Sequence, residues 1–236
     1  MEKREQLYEG KAKKVFETDD PERLIVSYKD DATAFNGQKK GQIADKGVVN
    51  NIMSNILFGI LEEAGVPTHL VRQLSDRESL VKRVRILPLE VIIRNVAAGS
   101  FSKRYGVPEG GPLARTVLEF SYKNDALGDP LINDDHILAL ALSTEAELAQ
   151  VRTYAFKVNE VLKAFFLKRG LRLIDFKIEF GLDSAGKLLL ADEISPDTCR
   201  LWDTETNEKM DKDRFRRDLG RVEETYRDVL LRVKGQ

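Results

Sequence analysis

The sequence predicts an α+β protein with a small β-rich N-terminal lobe and a larger mixed α/β lobe. Short strand-like runs fill residues 6–28, and long helical patterns lie farther along the chain. A strictly alternating segment near residue 175 adds a strand between two of those helices. With 236 residues, the chain is long enough for two lobes. We place the boundary after Ile86, with residues 1–86 in one lobe and residues 87–236 in the other.

The N-terminal residues have the pattern of a β-meander. Its predicted strands are Gln6–Glu9, Lys14–Glu17 and Leu24–Tyr28, with turns at Gly10 and at Thr18–Pro21. Two further strands are predicted at residues 79–86 and 89–94, and the break between them falls at Pro88.

Three amphipathic helices are predicted. The first runs over about residues 46–64 and the second over about residues 145–168. Thr144 and Glu147 form a capping box that satisfies free backbone N–H groups at the start of the second helix. The third lies near the C-terminus, where apolar residues recur over residues 215–229. We assign these apolar stripes to the core and give them no chemical role.

The alternating segment is predicted to form a hairpin with a polar face. Apolar side chains of Ile174–Phe180 point one way, and Asp175, Lys177 and Glu179 point the other. If Leu182 pairs with Lys187 across a turn at Asp183–Gly186, Glu179 lies opposite Leu190 and diagonal to Asp192. Two carboxylates beside an ammonium suit Mg²⁺ that also binds phosphates. A solvated face with a cross-strand ion pair explains the alternation equally well.

Two turns could bind phosphate. Tyr8–Val15 places a glycine and several lysines between two strands, although an ordinary tight turn with solvated lysines explains it too. Arg94–Arg104 leaves a strand through small residues and begins a helix, with Ser100 placed to cap the helix or to bind an anion. Arg94 adds a group suited to phosphate or carboxylate, but a tight strand-to-helix turn remains an alternative.

Two later loops carry further polar groups. Lys123 lies in a loop rich in Asp and Gly, where it could reach a phosphate, although a surface turn is the simpler explanation. The Ser195–Arg200 loop leaves the hairpin with a hydroxyl, a carboxylate and an arginine beside the predicted metal site. Cys199 has no histidine partner in the sequence pattern, so we interpret it as an unreactive thiol.

Composition excludes several classes of function. The formal net charge of −1 does not suit a nucleic-acid-binding domain, which is usually strongly basic. No apolar run is long enough for a membrane span and no signal peptide is visible. A single cysteine fits a reducing cytosol, so we expect a cytoplasmic protein. The two histidines, His69 and His136, are expected at the surface or its boundary rather than in a zinc site or hydrolase triad.

The candidate groups are therefore carboxylates, lysines and arginines without a histidine base. This combination favours catalysis by a metal ion and by charge complementarity, as in phosphoryl transfer. The residues alone indicate an enzyme that uses ATP and Mg²⁺ on an anionic small molecule.

The same residues resemble the phosphoribosylaminoimidazole-succinocarboxamide synthase (SAICAR synthetase) family. The resemblance covers nearly the whole chain and consists of several motifs in a fixed order. They are LYEGKAKKVF, DDATAFNG, PLEVIIRNVAAGS, KNDALGDP, LIDFKIEFG, LADEISPDTCRLWD and MDKDRFRRDLG. One departure is Asn36, where many relatives carry Asp, and this leaves the role of that residue open.

The resemblance implies a two-lobed, ATP-grasp-like fold with ATP between the lobes. The family joins L-aspartate to 5-amino-1-(5-phosphoribosyl)imidazole-4-carboxylate, a carboxylated aminoimidazole ribotide, and releases ADP, phosphate and the succinocarboxamide. The resemblance further implies ATP and Mg²⁺ as cofactors and small-molecule substrates. It implies no nucleic acid or membrane partner, and a homodimer.

The resemblance also implies roles for individual residues. The nucleotide-binding set is Lys11, Ala12, Lys13, Val15, Val81, Lys82, Lys123, Glu179 and Asp192, of which Glu179 and Asp192 hold Mg²⁺. The ribotide-binding set is Arg94, Ser100, Asp175, Asp197 and Arg200. The expected catalytic residues are Lys123, Lys177 and Asp175.

Two other functions remain compatible with the motifs. A small-molecule kinase of related lobe design would transfer phosphate to a hydroxyl group and would not use L-aspartate. A non-catalytic nucleotide sensor would bind ATP without turnover. The anion-binding motifs around Arg94 and Arg200 count against the kinase, and the complete set of Lys123, Glu179 and Asp192 counts against the sensor.

Overall fold

The computed structural model of the chain describes residues 1–34 and 37–236. The N-terminal part contains seven strands and one long helix among these residues. They are β1 (Lys3–Glu9), β2 (Lys13–Thr18), β3 (Arg23–Tyr28), β4 (Asp31–Ala34), β5 (Lys39–Gln42), α1 (Lys46–Glu63), β6 (Leu70–Gln73) and β7 (Glu78–Lys82).

The remaining residues form a mixed succession of strands and helices. They are β8 (Arg85–Ile86), β9 (Leu89–Val96), α2 (Gly99–Tyr105), β10 (Pro112–Tyr122), a 3₁₀ turn (Asp125–Leu127), β11 (Leu131–Ile132), α3 (Asp134–Ala139), α4 (Glu145–Leu167), β12 (Leu171–Leu182), β13 (Leu188–Ala191), β14 (Cys199–Asp203), α5 (Asp213–Arg216) and α6 (Val222–Lys234).

The predicted N-terminal meander is confirmed as part of a five-stranded antiparallel sheet. Its strand order is β1-β2-β3-β7-β6, so β3 pairs with β7 across a long excursion of the chain. The strand predicted over residues 79–86 is divided. Its first part, β7, pairs with β3, but β8 pairs with Gly181 and Leu182 of β12 in the second sheet. The change of sheet falls between Lys82 and Arg85, and the division of the chain into lobes stays a prediction.

Strand β12 is the centre of the second sheet. One edge of β12 pairs with β9 and β8, and the other edge pairs with β14 and then β13. Helix α4 packs on the apolar face of β12. The carboxylates of the polar face are also shielded from solvent, since Asp175 and Glu179 are each only 3% exposed. The alternative of a solvated polar face is therefore wrong.

The helices enclose one large apolar core. In α4, the residues Leu148, Val151, Ala155, Val158, Leu162 and Phe166 are buried and join residues of α1, α6 and β12. The capping box at Thr144 and Glu147 is confirmed. Complete burial of this stripe is the main contribution of α4 to stability, since each large apolar side chain removed from water stabilises the fold by roughly 1.5–3 kcal/mol.

The C-terminal helix differs from the prediction. A continuous helix over residues 215–229 was expected, but α5 ends at Arg216 and α6 begins at Val222. Between them, Asp218, Gly220 and Arg221 have φ values of 55°, 70° and 50°, which an α-helix cannot contain. Among the helices of the described residues, none is both long and apolar enough to cross a membrane.

Candidate active site

A cavity of about 750 Å³ lies between the two sheets. Side chains and main chain of β1, β2, β3, β7, β9, β12 and the loop after β10 line it. The structure brings the whole predicted nucleotide-binding set to its surface: Lys11, Ala12, Lys13, Val15, Val81, Lys82, Lys123, Glu179 and Asp192. One part of the wall is apolar and suits a flat aromatic base. This part is formed by Val15, Leu24, Val26, Val81, Val84 and Ile86.

The turn between β1 and β2 covers this cavity. The N–H of Gly10 donates to the carbonyl of Lys13 at 2.8 Å, which closes the turn. Lys11 then reaches Asp125 at 2.6 Å, and Lys13 forms ion pairs with Asp192 and, at 3.2 Å, with Glu193. These ion pairs join the first sheet to the second across the cavity.

The β12–β13 hairpin has a different register from the predicted one. Leu182 pairs with Leu188 instead of Lys187, so Glu179 lies opposite Ala191 instead of Leu190. The shift arises because the turn contains an extra residue. Asp183 pairs with Lys187, and Gly186 adopts φ +77°.

Asp192 is brought beside Glu179 by its main-chain conformation. In the observed register, a continued strand would place Asp192 opposite Ile178, on the face away from Glu179. Strand β13 ends at Ala191, and Asp192 adopts φ 62°. This left-handed conformation is uncommon for a residue other than glycine, and its occurrence at functional sites is well documented. Lys177, Glu179 and Asp192 consequently line one cavity, as predicted.

The pKa values of Glu179 and Asp192 are shifted in opposite directions. Burial and the nearby Asp192 carboxylate raise the pKa of Glu179, although Lys123 at 2.5 Å and Lys177 at 3.4 Å oppose the rise. Burial also favours a higher pKa for Asp192, but the ammonium groups of Lys13 and Lys177 outweigh it and lower that pKa to about 2. Two buried carboxylates that repel each other attract a cation.

The chemistry of these donors fits Mg²⁺. In the part of the chain that the structure describes, no cluster of three or more His, Cys, Asp or Glu side chains could enclose a metal ion. Mg²⁺ needs no such cage, because it takes one or two carboxylates and fills its remaining positions with water and phosphate oxygens. Glu179 and Asp192 supply that pair of hard oxygen donors.

A second cavity of about 160 Å³ adjoins the first through Lys177, which lines both. The structure brings the predicted ribotide-binding set together here: Arg94, Ser100, Asp175, Asp197 and Arg200. Burial favours a lower pKa for Lys177, but Glu179 and Glu90 outweigh it and raise that pKa above its usual range, so the side chain is an ammonium.

Asp175 holds the two arginines of this cavity. It accepts hydrogen bonds from Arg94 at 2.9 Å and from Arg200 at 3.0 Å. Arg94 also contacts Glu119 at 2.7 Å, and Arg200 contacts Asp213 at 3.0 Å. Both guanidinium groups are thus fixed by carboxylates in a buried network, and buried pairs of this kind define geometry strongly.

Asp197 is part of a separate buried cluster. Its carboxylate contacts Lys46 at 3.1 Å, Lys212 at 3.0 Å and the hydroxyl of Tyr226 at 2.7 Å. Burial alone would raise the pKa of Asp197, but Lys212 and Lys46 outweigh it and hold that pKa far below its usual range. Asp197 is therefore a carboxylate that fixes the loop before β14 against α1 and α6.

Ser100 does not cap helix α2. The N-cap residue is Ala98 and makes no side-chain cap, whereas the hydroxyl of Ser100 accepts a hydrogen bond from Arg94 at 3.0 Å. Of the two roles predicted for Ser100, the helix cap is wrong, because Ser100 is the second residue within the helix rather than the residue before it. Gly99 precedes it with φ +54°, and a Cβ there would meet the Arg200 guanidinium at 2.4 Å.

Gly99→Ala is expected to raise the KM for the anionic substrate about 10-fold. The added methyl group strains the left-handed main chain and pushes Arg200 from its place, and a misplaced group of this kind costs roughly 10- to 100-fold in rate. Steady-state kinetics measures the effect. Gly59→Ala, in the middle of α1 with no atom near the new methyl group, is the control and should change neither KM nor kcat.

Several residues of the two cavities were missed or misplaced by sequence reasoning. His69 was expected near the surface, but it is 6% exposed, lines the larger cavity and packs edge-on against Phe58. Burial and the Lys13 ammonium lower the pKa of His69 to about 4. Glu90 and Arg216 were also missed; Glu90 alternates with apolar neighbours in β9, which was a usable signal, whereas Arg216 gave none.

One further prediction can be compared with the structure, and one cannot. Cys199 is buried, and burial raises the pKa of its thiol well above the usual range, in keeping with an unreactive thiol. Asn36, where the sequence departs from the family pattern, lies outside the described residues.

The chain is similar to known proteins over nearly its whole length. A family model described as SAICAR synthetase matches residues 6–233. The chain is 62% identical to the phosphoribosylaminoimidazole-succinocarboxamide synthase of Clostridium acetobutylicum, over 100% of both chains. The crystal structure of the synthase from Ehrlichia chaffeensis is similar with a TM-score of 0.96 and 46% identity, over 98% of both chains. A SAICAR synthetase in complex with ADP is similar with a TM-score of 0.94 and 47% identity, over 97% of both chains.

Proposed function

Because the chain belongs to the SAICAR synthetase family, we propose that its two adjoining cavities hold ATP and the carboxylated aminoimidazole ribotide at the same time. The protein is a ligase of purine biosynthesis that joins L-aspartate to the ribotide carboxylate, with ATP converted to ADP and phosphate. The main support for this assignment is the position of Lys177, which lies in the wall shared by the two cavities.

We assign the larger cavity to the nucleotide. Its apolar wall suits the adenine ring, and the lysines of the β1–β2 turn together with Lys123 suit the phosphates. Glu179 and Asp192 would hold Mg²⁺, which neutralises phosphate charge and favours attack at the γ-phosphate. Lys13 and Lys123 already contact these two carboxylates, so the phosphates and the lysines would exchange partners when ATP binds.

We assign the smaller cavity to the ribotide. Its size suits one phosphate or carboxylate group with part of a sugar, and Arg94, Arg200 and Arg216 surround it. The buried Asp175 keeps two of these arginines in place, together with Glu119 on Arg94 and Asp213 on Arg200. The resulting fixed guanidinium groups suit bidentate recognition of an anion.

The position of Lys177 suits an activation step. A carboxylate reacts poorly with an amine until one oxygen becomes a leaving group. In our hypothesis, the ribotide carboxylate attacks the γ-phosphate to give an acyl phosphate, and the amine of L-aspartate then displaces phosphate to form the amide. The Lys177 ammonium lies between the two cavities, where the γ-phosphoryl group would be transferred to the ribotide carboxylate. It can therefore stabilise the negative charge on the transferred phosphoryl group.

The reaction is tested by ADP release in the presence of Mg²⁺-ATP and the ribotide, with and without L-aspartate. We expect release that requires both substrates, together with the absorbance change of the succinocarboxamide. Release that is indifferent to L-aspartate would indicate a kinase or an ATPase. Bound ATP without release under any condition would indicate a sensor.

The acyl phosphate has its own test. Oxygen-18 placed in the β,γ-bridge of ATP should exchange position when the ribotide is present and L-aspartate is absent, because a reversible acyl phosphate frees the ADP phosphate to rotate. Exchange that requires L-aspartate would count against a free acyl phosphate.

We also propose a homodimer in the cytoplasm, as the family resemblance implies. Sedimentation equilibrium of the purified chain tests the first proposal, and fractionation of the source cells tests the second.

A further inference from the structure

Glu90 lies beside Glu179, one of the two carboxylates proposed to hold Mg²⁺. In the β9–β12 ladder, Asp175 pairs with Arg94 and Ile178 pairs with Val91, so the next position of the register sets Glu179 against Glu90. Lys177 and Glu179 are on one face of β12, and Glu90 shares that face from β9. All three line the larger cavity.

Two carboxylates directly opposite each other on a sheet face are unfavourable unless a cation lies between them. The Lys177 ammonium supplies that charge. It contacts Glu90 at 2.6 Å and Glu179 at 3.4 Å, so its shorter contact is to Glu90. The side chain of Glu90 is 16% exposed and the side chain of Glu179 is 4% exposed.

Under the proposed function, the contact of Lys177 with Glu179 hinders Mg²⁺ binding, whereas its contact with Glu90 favours it. Glu179 must offer its oxygens to Mg²⁺, whereas an ammonium held on those oxygens competes with the ion. Lys177 must also remain in the wall between the two cavities. A second carboxylate that holds the Lys177 ammonium satisfies both requirements.

We infer that Glu90 is a positioning residue that holds Lys177 away from Glu179 and thereby keeps Glu179 available to the metal–nucleotide complex. This inference rests on the proposed function of the cavity. Glu90 acts through Lys177 and needs no contact with the substrates. Other carboxylates cannot replace it, because the described carboxylates in contact with Lys177 are Glu90 and Glu179 alone.

The test is the Mg²⁺ dependence of ADP binding, measured by calorimetry at a series of Mg²⁺ concentrations. For Glu90→Gln we expect the Mg²⁺ concentration at half-saturation to rise about 10-fold, which is the lower range for loss of a group that supports a metal ligand. Glu78→Gln is the matched control, because Glu78 is also a strand glutamate paired with a lysine, Lys3, but lines neither cavity, so it should leave the Mg²⁺ dependence unchanged.

A double-mutant cycle separates the inference from a general charge effect. In a Lys177→Met background, Glu90→Gln should leave the Mg²⁺ dependence of ADP binding unchanged. An equal weakening in both backgrounds would overturn the inference, because Glu90 would then act on the cation itself. An unchanged Mg²⁺ dependence for the single variant would overturn it as well.

Two further measurements keep the test decisive. Thermal unfolding confirms that each variant is folded, and Glu90→Asp, which keeps the charge but shortens the reach, should shift the Mg²⁺ dependence in the same direction by a smaller factor. Product formation by the unaltered protein is measured separately. If that fails, the proposed function is wrong, whereas normal product formation with an unaltered Mg²⁺ dependence in Glu90→Gln contradicts only the role of Glu90.

Discussion

Asp192→Asn is expected to lower kcat about 100- to 1000-fold, the range for removal of one preorganised group that stabilises developing charge. The substitution removes one of the two carboxylates proposed to hold Mg²⁺. The fold should survive, because Asn tolerates the left-handed conformation that Asp192 adopts at φ 62°. Lys13 also keeps Glu193 as a partner at 3.2 Å. Steady-state kinetics over a range of Mg²⁺ concentrations measures the effect.

The control for this substitution is Asp218→Asn. Asp218 also has a positive φ, of 55°, and also pairs with a lysine, Lys39 at 2.6 Å, but it lies outside both cavities. We expect its kcat to stay within twofold of the unaltered protein. Near-normal turnover of Asp192→Asn at saturating Mg²⁺ would show that Asp192 is not a metal ligand.

Asp175→Asn is expected to affect both stability and ribotide binding. Asp175 is buried between Arg94 and Arg200, so neutralising it leaves two buried guanidinium groups facing each other. Removal of one partner from a buried ion pair costs about 3 kcal/mol or more in the free energy of unfolding. For a chain of this size, a loss of about 3 kcal/mol lowers Tm by about 6–12 °C.

The displaced arginines should also raise the KM for the ribotide, with a fall of about 100-fold in kcat/KM. The ribotide should restore part of the lost Tm, because a ligand that binds only the folded chain stabilises it. The control is Asp134→Asn, whose partner Arg152 forms an exposed ion pair, and its cost should stay below about 1 kcal/mol. A normal Tm and KM for Asp175→Asn would remove this residue from the proposed site.

Much of the site could be read from the chain. The lysines after Gly10 and the alternation of Asp175, Lys177 and Glu179 indicated phosphate and metal chemistry, and the order of motifs indicated the family. These predictions succeeded because each depends on residues that are near one another in the sequence or on a period of two in a strand.

Other features could not be read in this way. The register of the β12–β13 hairpin depends on one extra residue in a turn, and the position of Asp192 depends on a single φ angle. Neither leaves a pattern in the composition. His69 was placed wrongly because its burial follows from the packing of Phe58 and the first sheet, which are contacts that periodicity does not encode.

The sequence by itself determined the types of elements, the chemical groups available and the family of the protein, because these follow from local periodicity and from the identity of the side chains. The tertiary structure alone decided which groups share a cavity. Strand β12 lies between β9 on one edge and β13 and β14 on the other. This arrangement brings Glu90, Lys177 and Glu179 together at one end of a shared sheet face, and Arg94, Asp175 and Arg200 at the other end of it. Pairings between residues far apart in the chain are fixed by the packing of the whole core, so no segment of the sequence contains them.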